Sequence, residues 1–217
     1  MPIFFRDSVK AVLGIANTLD NFSYNKDDIE LLDIFSKQIA VAIENDTLAH
    51  LIEKLEIKDA LTGLYNRSFI ESRLQEEISR AIIYQRPCAF IIFDIDNFKN
   101  YRAEFGLIFA EAALKKIAGL MRDCITEVDR VGRTDDDEFS LILPEKNKRQ
   151  AQKVAEEICK KIQASFCADQ DSSKRLTFSA GVSENPLDGV QVEQLITKAK
   201  ELLKKAKAGG KNKVVVF

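Results

Sequence analysis

Apolar residues along this chain recur with two periods, and the switches between them divide it into elements. Ile3 to Phe5 and Ala11 to Ala16 are short apolar segments that read as strands, with Gly14 as an expected bulge or close-approach residue. Ile29, Leu32, Ile34, Phe35, Ile39 and Ile43 then form a wide apolar helical face, for which Asp27 is the expected N-cap. The pattern runs on through Leu48, Leu51 and Leu55, with Val41 seven residues before Leu48. Such a short heptad seam suits either a parallel dimer helix or a helix packed on its own domain. Beyond Lys58 the elements alternate. Residues 58–67 read as a loop containing Gly63, with Asn66 placed to cap a helix whose face is Ile70, Leu74, Ile78, Ala81 and Ile82. Residues 88–95, CAFIIFDI, are a continuous apolar run, as expected of a central strand covered on both faces. Leu114, Ile117, Ala118 and Met121 mark another helix, residues 128–144 a hairpin, and Ala151, Val154, Ala155, Ile158 and Ile162 a further helix. Leu176, Phe178, Ala180 and Val182 alternate as a strand, Val192, Leu195, Ile196, Ala199 and Leu203 give a long helix, and KVVVF follows. Strands separated by helices, with one hairpin, predict an α/β sandwich around a mixed central sheet.

Composition narrows the function classes. A chain of 217 residues holds one full domain and a smaller piece. A net charge of −2 argues against a dedicated nucleic-acid binder. Arg6, Asp7 and Lys10 interrupt any signal-peptide core, and no stretch approaches the roughly 18–20 apolar residues of a membrane span. A soluble, cytoplasmic protein is expected. Cys88, Cys124, Cys159 and Cys167 show no CxxC spacing, and His50 is the only histidine, so a zinc site or a Cys–His pair is not expected. The thiols read as buried or incidental, in keeping with a reducing cytoplasm.

Two acidic places stand out. Residues 133–139, RTDDDEF, put three Asp and a Glu at the hairpin turn, where charge density suits a divalent cation with oxygen ligands and opposes a polyphosphate. In FDIDNFKN, residues 93–100, the buried strand runs out into Asp94 and Asp96. A strand end is where open α/β sheets bind ligands, and Asp94 with the Ile95 carbonyl could hold magnesium. The same carboxylates would equally serve a turn. Seven lysines crowd residues 198–213, a pattern that on charge alone suits a solvated helix end.

DALTGLYNR, FDIDNFKN, DDDEF, LTFSAGVS and AKAGGKNKV follow one another in the order and spacing of the GGDEF, or diguanylate cyclase, domains, which residues 58–217 resemble. AVLGIANT followed by NKDDIELLDIFSKQIAVAIEN resembles the last strands and closing helix of a GAF sensory domain. The resemblance implies a GAF remnant at 1–45, a signalling linker helix at 46–57 and a GGDEF domain at 58–217, in a chain that is a fragment of a longer protein. It implies a nucleotidyl-cyclase-like fold with a ferredoxin-like core, and the condensation of two GTP into cyclic di-GMP across a dimer. It further implies magnesium at Asp94, Ile95 and Asp137, while the carboxylates themselves predict an oxygen-rich cluster of Asp94, Asp135, Asp136 and Asp137 that would favour calcium. The signature residues would be Asp137 and Glu138 with Asp135 and Asp136. Nucleotide contacts would come from Asn97, Phe98, Lys99, Arg102, Glu111, Lys207 and Lys211.

The resemblance also has departures. Asp135 and Asp136 stand where the family has glycines, which let the hairpin approach the nucleotide. Arg102 and Glu111 stand where the family reads guanine with Asn and Asp, and Arg only donates hydrogen bonds. Lys211 replaces a usual Arg, losing bidentate phosphate geometry. Thr126-Glu127-Val128-Asp129 replaces the RxxD product-inhibition motif. The expected function is a catalytically degenerate module of cyclic di-GMP signalling, forming weak homodimers through helix 36–57. The rival expectations are an active diguanylate cyclase and a GTP or metal sensor without turnover.

Overall fold

The computed structural model describes residues 1–5, 8–16, 23–55, 57–166 and 175–217, without the side chains of 5, 8, 10 and 49–55. Contacts divide the chain into two units, Met1–Glu56 and Ile57–Phe217. In the first, β1 (Pro2–Phe5) and β2 (Ser8–Val12) pair antiparallel ahead of α1 (Lys26–Leu55). The hairpin's irregularity lies at Ile3/Phe4, where Lys10 is the extra residue, so Gly14 is not the bulge; an added Cβ there would meet nothing within 4 Å. The N-cap is also displaced from the expected Asp27. Asn25 and Asp28 exchange backbone-to-side-chain bonds of 2.9 Å, and Asp27 sits in the first turn beside the helix dipole. The apolar face is only partly covered. Leu32 and Ile39 are half-buried, whereas Ile29, Ile34, Phe35 and Ile43 are exposed, because strands of four and five residues cannot cover a 30-residue helix. The side chains of Leu51 and Leu55, and of Cys167 and His50, lie outside the described residues.

The second unit is a three-layer sandwich. Its sheet runs β4 (Arg130–Arg133), β5 (Glu138–Pro144), β3 (Cys88–Ile95), β6 (Phe178–Asn185), β7 (Val214–Val215), antiparallel except for the parallel β6–β7 pair. On one face α2 (Arg67–Tyr84) and α6 (Val192–Ala208) pack on Phe90, Ile92 and Ile142. On the other, α4 (Leu107–Arg122) and α5 (Lys148–Phe166) cover Ile91, Phe93, Leu141 and Val182. The continuous apolar run of β3 is thereby buried on both sides, as its sequence requires.

Three details depart from the sequence pattern. All eight residues of β6 are buried, although Leu176, Phe178, Ala180 and Val182 alternate, because Ser179, Gly181 and Ser183 face α6. An added Cβ at Gly181 would lie 2.1 Å from the Ala199 carbonyl oxygen, so glycine sets how closely α6 approaches. Ile82, expected on the buried face of α2, is exposed near that helix's end. Ahead of α4 lies α3 (Phe98–Phe105), an eight-residue helix too short for a periodic signal and separated by Gly106 at φ +84°.

Candidate functional site

The site begins where β3 ends. Asp94 lies between Glu138 of β5 and Ser179 of β6, and the next residue, Ile95, donates its N–H to the Asp137 carbonyl at 3.1 Å. Asn97 then adopts a left-handed conformation, φ +59°, which turns the chain sharply into α3. From the opposite side, Lys207 in the last turn of α6 places Nζ 2.6 Å from Asp94 Oδ1. Lys211 donates to Asn97 Oδ1 at 2.5 Å. Asp94, Ile95, Asp96, Asn97, Phe98, Lys99, Asp137, Lys207 and Lys211 together line a cavity of about 220 Å³. All of these but Asp96 are residues that the motifs single out for metal or nucleotide.

Asp94 and Asp96 are divided between the two roles that their sequence leaves open. Asp96 is buried and fully engaged. It accepts from Thr177 Oγ1 at 2.8 Å, Ser179 Oγ at 2.7 Å and the Asn212 N–H at 3.0 Å, tying the strand end to the loop after α6. Asp94 instead faces the cavity, and burial pushes its carboxyl up to about 6, with Lys207 opposing and the nearby Asp137 adding to the rise. The residues fit a divalent cation. Two carboxylates share the wall, and the Lys207 ammonium already sits on one of them as a cationic stand-in. Among the described residues no three Asp, Glu, His or Cys side chains converge to hold a metal, so an ion here would draw further oxygens from a ligand. Magnesium is commonly held that way.

Of the acidic tip, only Asp137 lines that cavity. Residues 134–138 close the β4–β5 hairpin, with the Glu138 carbonyl accepting from the Thr134 and Asp135 N–H groups at 2.9 and 3.3 Å. Neither Asp135 nor Asp136 has positive φ, so the turn forms without a glycine conformation. Both are exposed, and Asp135 Oδ2 accepts from Arg67 Nη2 at 3.1 Å. Asp135 and Asp136 therefore do not join Asp94 and Asp137 in lining the cavity, and no four-carboxylate cluster is assembled among the described residues. Glu138 is half-buried, accepting from Thr134 Oγ1 at 2.8 Å with Lys200 3.9 Å away.

Arg102, on α3, is exposed, and Glu111, on α4, is half-buried; neither lines the cavity. At the place of the product-inhibition motif, Asp129 is buried and occupied, accepting from the Thr126 N–H at 2.9 Å, Thr126 Oγ1 at 2.7 Å and Lys146 Nζ at 2.6 Å. A larger cavity, about 620 Å³, lies near the opposite end of β3 among Arg73, Glu77, Arg80, Tyr84, Val128 and Pro144. None of the residues expected to hold metal or nucleotide lines it, although Glu127 and Val128, at the place of the product-inhibition motif, do. Cys88 and Cys159 are buried thiols pushed up to about 12 by desolvation, which makes them unreactive. Sequence reasoning missed Arg67, Arg133 and Asp59, which attach the hairpin to the turn before α2. Their signal was present only as charges inside the motifs DALTGLYNR and RTDDDEF.

A mixed sheet between helix layers, with a cavity lined by carboxylates and lysines at the end of its central strand, places the domain in the α/β class. The particular family follows from comparison: the chain belongs to the diguanylate cyclase, GGDEF domain family, whose model matches residues 56–213. It is 31% identical over 172 residues to the response regulator PleD of Caulobacter vibrioides, covering 78% of this chain and 38% of that protein. It is 29% identical over 219 residues to the diguanylate cyclase VdcA of Vibrio cholerae serotype O1, covering 96% of this chain and 61% of that protein. The chain thus spans less than two thirds of either curated relative. Among solved structures, the diguanylate cyclase SiaD of Pseudomonas aeruginosa, crystallised with its activator SiaC, superimposes with a TM-score of 0.69 at 27% identity, covering 88% of this chain and 78% of that one. No helix of the described residues is long and apolar enough to cross a membrane.

Proposed function

We propose that residues 58–217 are a regulatory GGDEF module of cytoplasmic cyclic di-GMP signalling that keeps the metal-and-phosphate end of the nucleotide site and does not make cyclic di-GMP. The observation that carries this reading is the state of the base-reading positions. Arg102 is an exposed, donor-only side chain eight residues beyond Asp94, where an Asn would both donate and accept. A guanine N–H left unpaired in a desolvated site costs about 1–3 kcal/mol. The cavity itself supports a second reading, binding of GTP without turnover. Lys207 and Lys211 reach it from one side, the Asn97–Lys99 loop lies on another, and Asp94, Asp137 and the Ile95 carbonyl would hold magnesium. Bound there, the ion would neutralise phosphate oxygens.

Residues 1–45 are read as the closing part of a GAF-like sensor and 46–57 as a signalling linker helix, with a weak dimer formed through helix 36–57. A product assay tests the loss of catalysis that both readings assume, and calorimetry separates them. The purified chain with GTP and Mg²⁺ should yield no cyclic di-GMP above an Asp137→Ala control, while calorimetry should register heat from Mg²⁺ with GTP. Turnover clearly above that control would establish an active cyclase, and an absence of heat would leave an interaction module alone.

A further inference from the structure

We infer that Arg67 is a positioning residue for the signature hairpin, and that Asp135, standing where the family has glycine, is its anchor. Arg67 is the first residue of α2, fixed by Asn66, whose side chain accepts from the Phe69 N–H at 2.9 Å. Its guanidinium makes a fork onto the tip: Nε donates to the Thr134 carbonyl at 2.7 Å and Nη2 to Asp135 Oδ2 at 3.1 Å. A second guanidinium runs the other way. Arg133 Nη2 donates to the Asp136 carbonyl at 2.8 Å and Nη1 to Asp59 Oδ2 at 3.3 Å. The backbone adds two bonds, from Tyr65 N to the Val131 carbonyl at 3.2 Å and from Arg133 N to the Tyr65 carbonyl at 2.8 Å.

The tip is thus tied to the turn at 59–66 on one side and, through the Asp137 carbonyl and Ile95 N–H, to the end of β3 on the other. Glycine at 135 could make the backbone contacts but not the carboxylate one. The substitution adds a tie and draws its own charge toward Arg67, so the presentation of Asp137 beside Asp94 depends on a residue that does not line the cavity. The functional consequence rests on reading that cavity as the triphosphate and metal end; the clamp itself does not.

The clamp is tested by native-state amide exchange at residues 134–138 in the full chain, comparing Arg67→Gln, Arg67→Lys, Asp135→Asn and the Arg67→Gln/Asp135→Asn pair. Exposed ion pairs are individually weak, so the single changes should speed exchange at the tip by about three- to tenfold. Arg67→Lys should fall between, since a lysine keeps the charge without the fork. The double variant should go no further than the stronger single, and amides of β6 and α6 should not move. Singles that add independently, an unchanged tip, or acceleration spread evenly through the domain would overturn the assignment. Asp135→Asn, at an exposed position, decides the matter if the Arg67 variants fold poorly. Titration with Mg²⁺ and GTP then reports the consequence. Arg67→Gln should weaken binding severalfold with Asp135 present and much less in an Asp135→Gly background. A native chain that binds no nucleotide would sink the reading of the cavity while the exchange pattern still decides the role of Arg67.

Discussion

Asp94 and Asp96 sit two positions apart at one strand end, and the difference between them is the difference between a site and its scaffold. Asp94 holds its proton up to about pH 6, against an ordinary 3.8, because burial outweighs the Lys207 contact. Between those values the folded chain binds more protons than the unfolded one, so stability should fall as pH rises from about 4 to about 6 and level off above. The fall should be on the order of 2 kcal/mol, discounting for partial solvent access. Thermal melts across that range should show the decline in the native chain and a flatter profile in Asp94→Asn; an equal slope in both would assign it to another group. Because a cation competes with that proton, binding of Mg²⁺ with GTP should also weaken as pH drops through 6. Asp96 has no such freedom. Asp96→Ala would leave two hydroxyls and the Asn212 N–H without their acceptor. A loss of about 2–4 kcal/mol in urea denaturation is expected, since each buried polar group deprived of a partner costs about 1–3 kcal/mol.

At the scale of elements, the lysines reach the cavity because α6 lies close on β6. Gly181 permits that approach, and a Cβ there would meet the Ala199 carbonyl oxygen at 2.1 Å and the Leu203 nitrogen at 2.5 Å, both rigid backbone. Gly181→Ala should therefore push the helix outward, costing about 2–3 kcal/mol as overpacking does. The measurements are denaturant unfolding and, if the chain stays folded, weaker binding of Mg²⁺ with GTP than in the native chain. Stability within about 0.5 kcal/mol of native, the size of an ordinary surface change, would show that the layers slide apart freely. The long helix α1 poses the opposite question, having apolar surface without enough cover. Ile34, Val41 and Leu48, spaced by seven, are 53%, 57% and 46% exposed, which is the seam a parallel partner helix would fill. A short seam should give weak, concentration-dependent dimers in sedimentation velocity. Polar replacement of Leu48 and Leu51 together should yield monomers with residues 58–217 still folded. A dimer unchanged by that replacement would move the interface elsewhere, and a native chain that is monomeric at every concentration would end the idea.

For the molecule as a whole, the sandwich was legible because long apolar runs with clear periods, such as β3 and α5, leave few alternative placements. The cavity was legible only through motifs. Nothing in the periodicity of FDIDNFKN tells which Asp faces inward; that is set by Thr177, Ser179 and Asn212, far along the chain from Asp96. The Asp135–Arg67 contact was hidden for the same reason: 68 positions separate the partners. That contact changes where the departures from the family matter. Asp135 and Asp136 looked from sequence like the decisive loss, through like-charge repulsion of a triphosphate. Arg67 takes up part of the charge on Asp135, so Arg102 and Glu111, which lie outside the cavity as Asp135 and Asp136 do, count as an independent departure. Restoring glycine at both signature positions should accordingly fail to produce cyclic di-GMP. Adding Arg102→Asn and Glu111→Asp to that variant should raise affinity for GTP over ATP by about tenfold or more, the return on recovering one or two paired hydrogen bonds with the base. Competition calorimetry with the two nucleotides, beside a chromatographic product assay, distinguishes the contributions. Cyclic di-GMP from the glycine variant alone would place the defect in the hairpin after all. A quadruple variant with no gain in base preference would mean that this domain no longer reads a base at those positions.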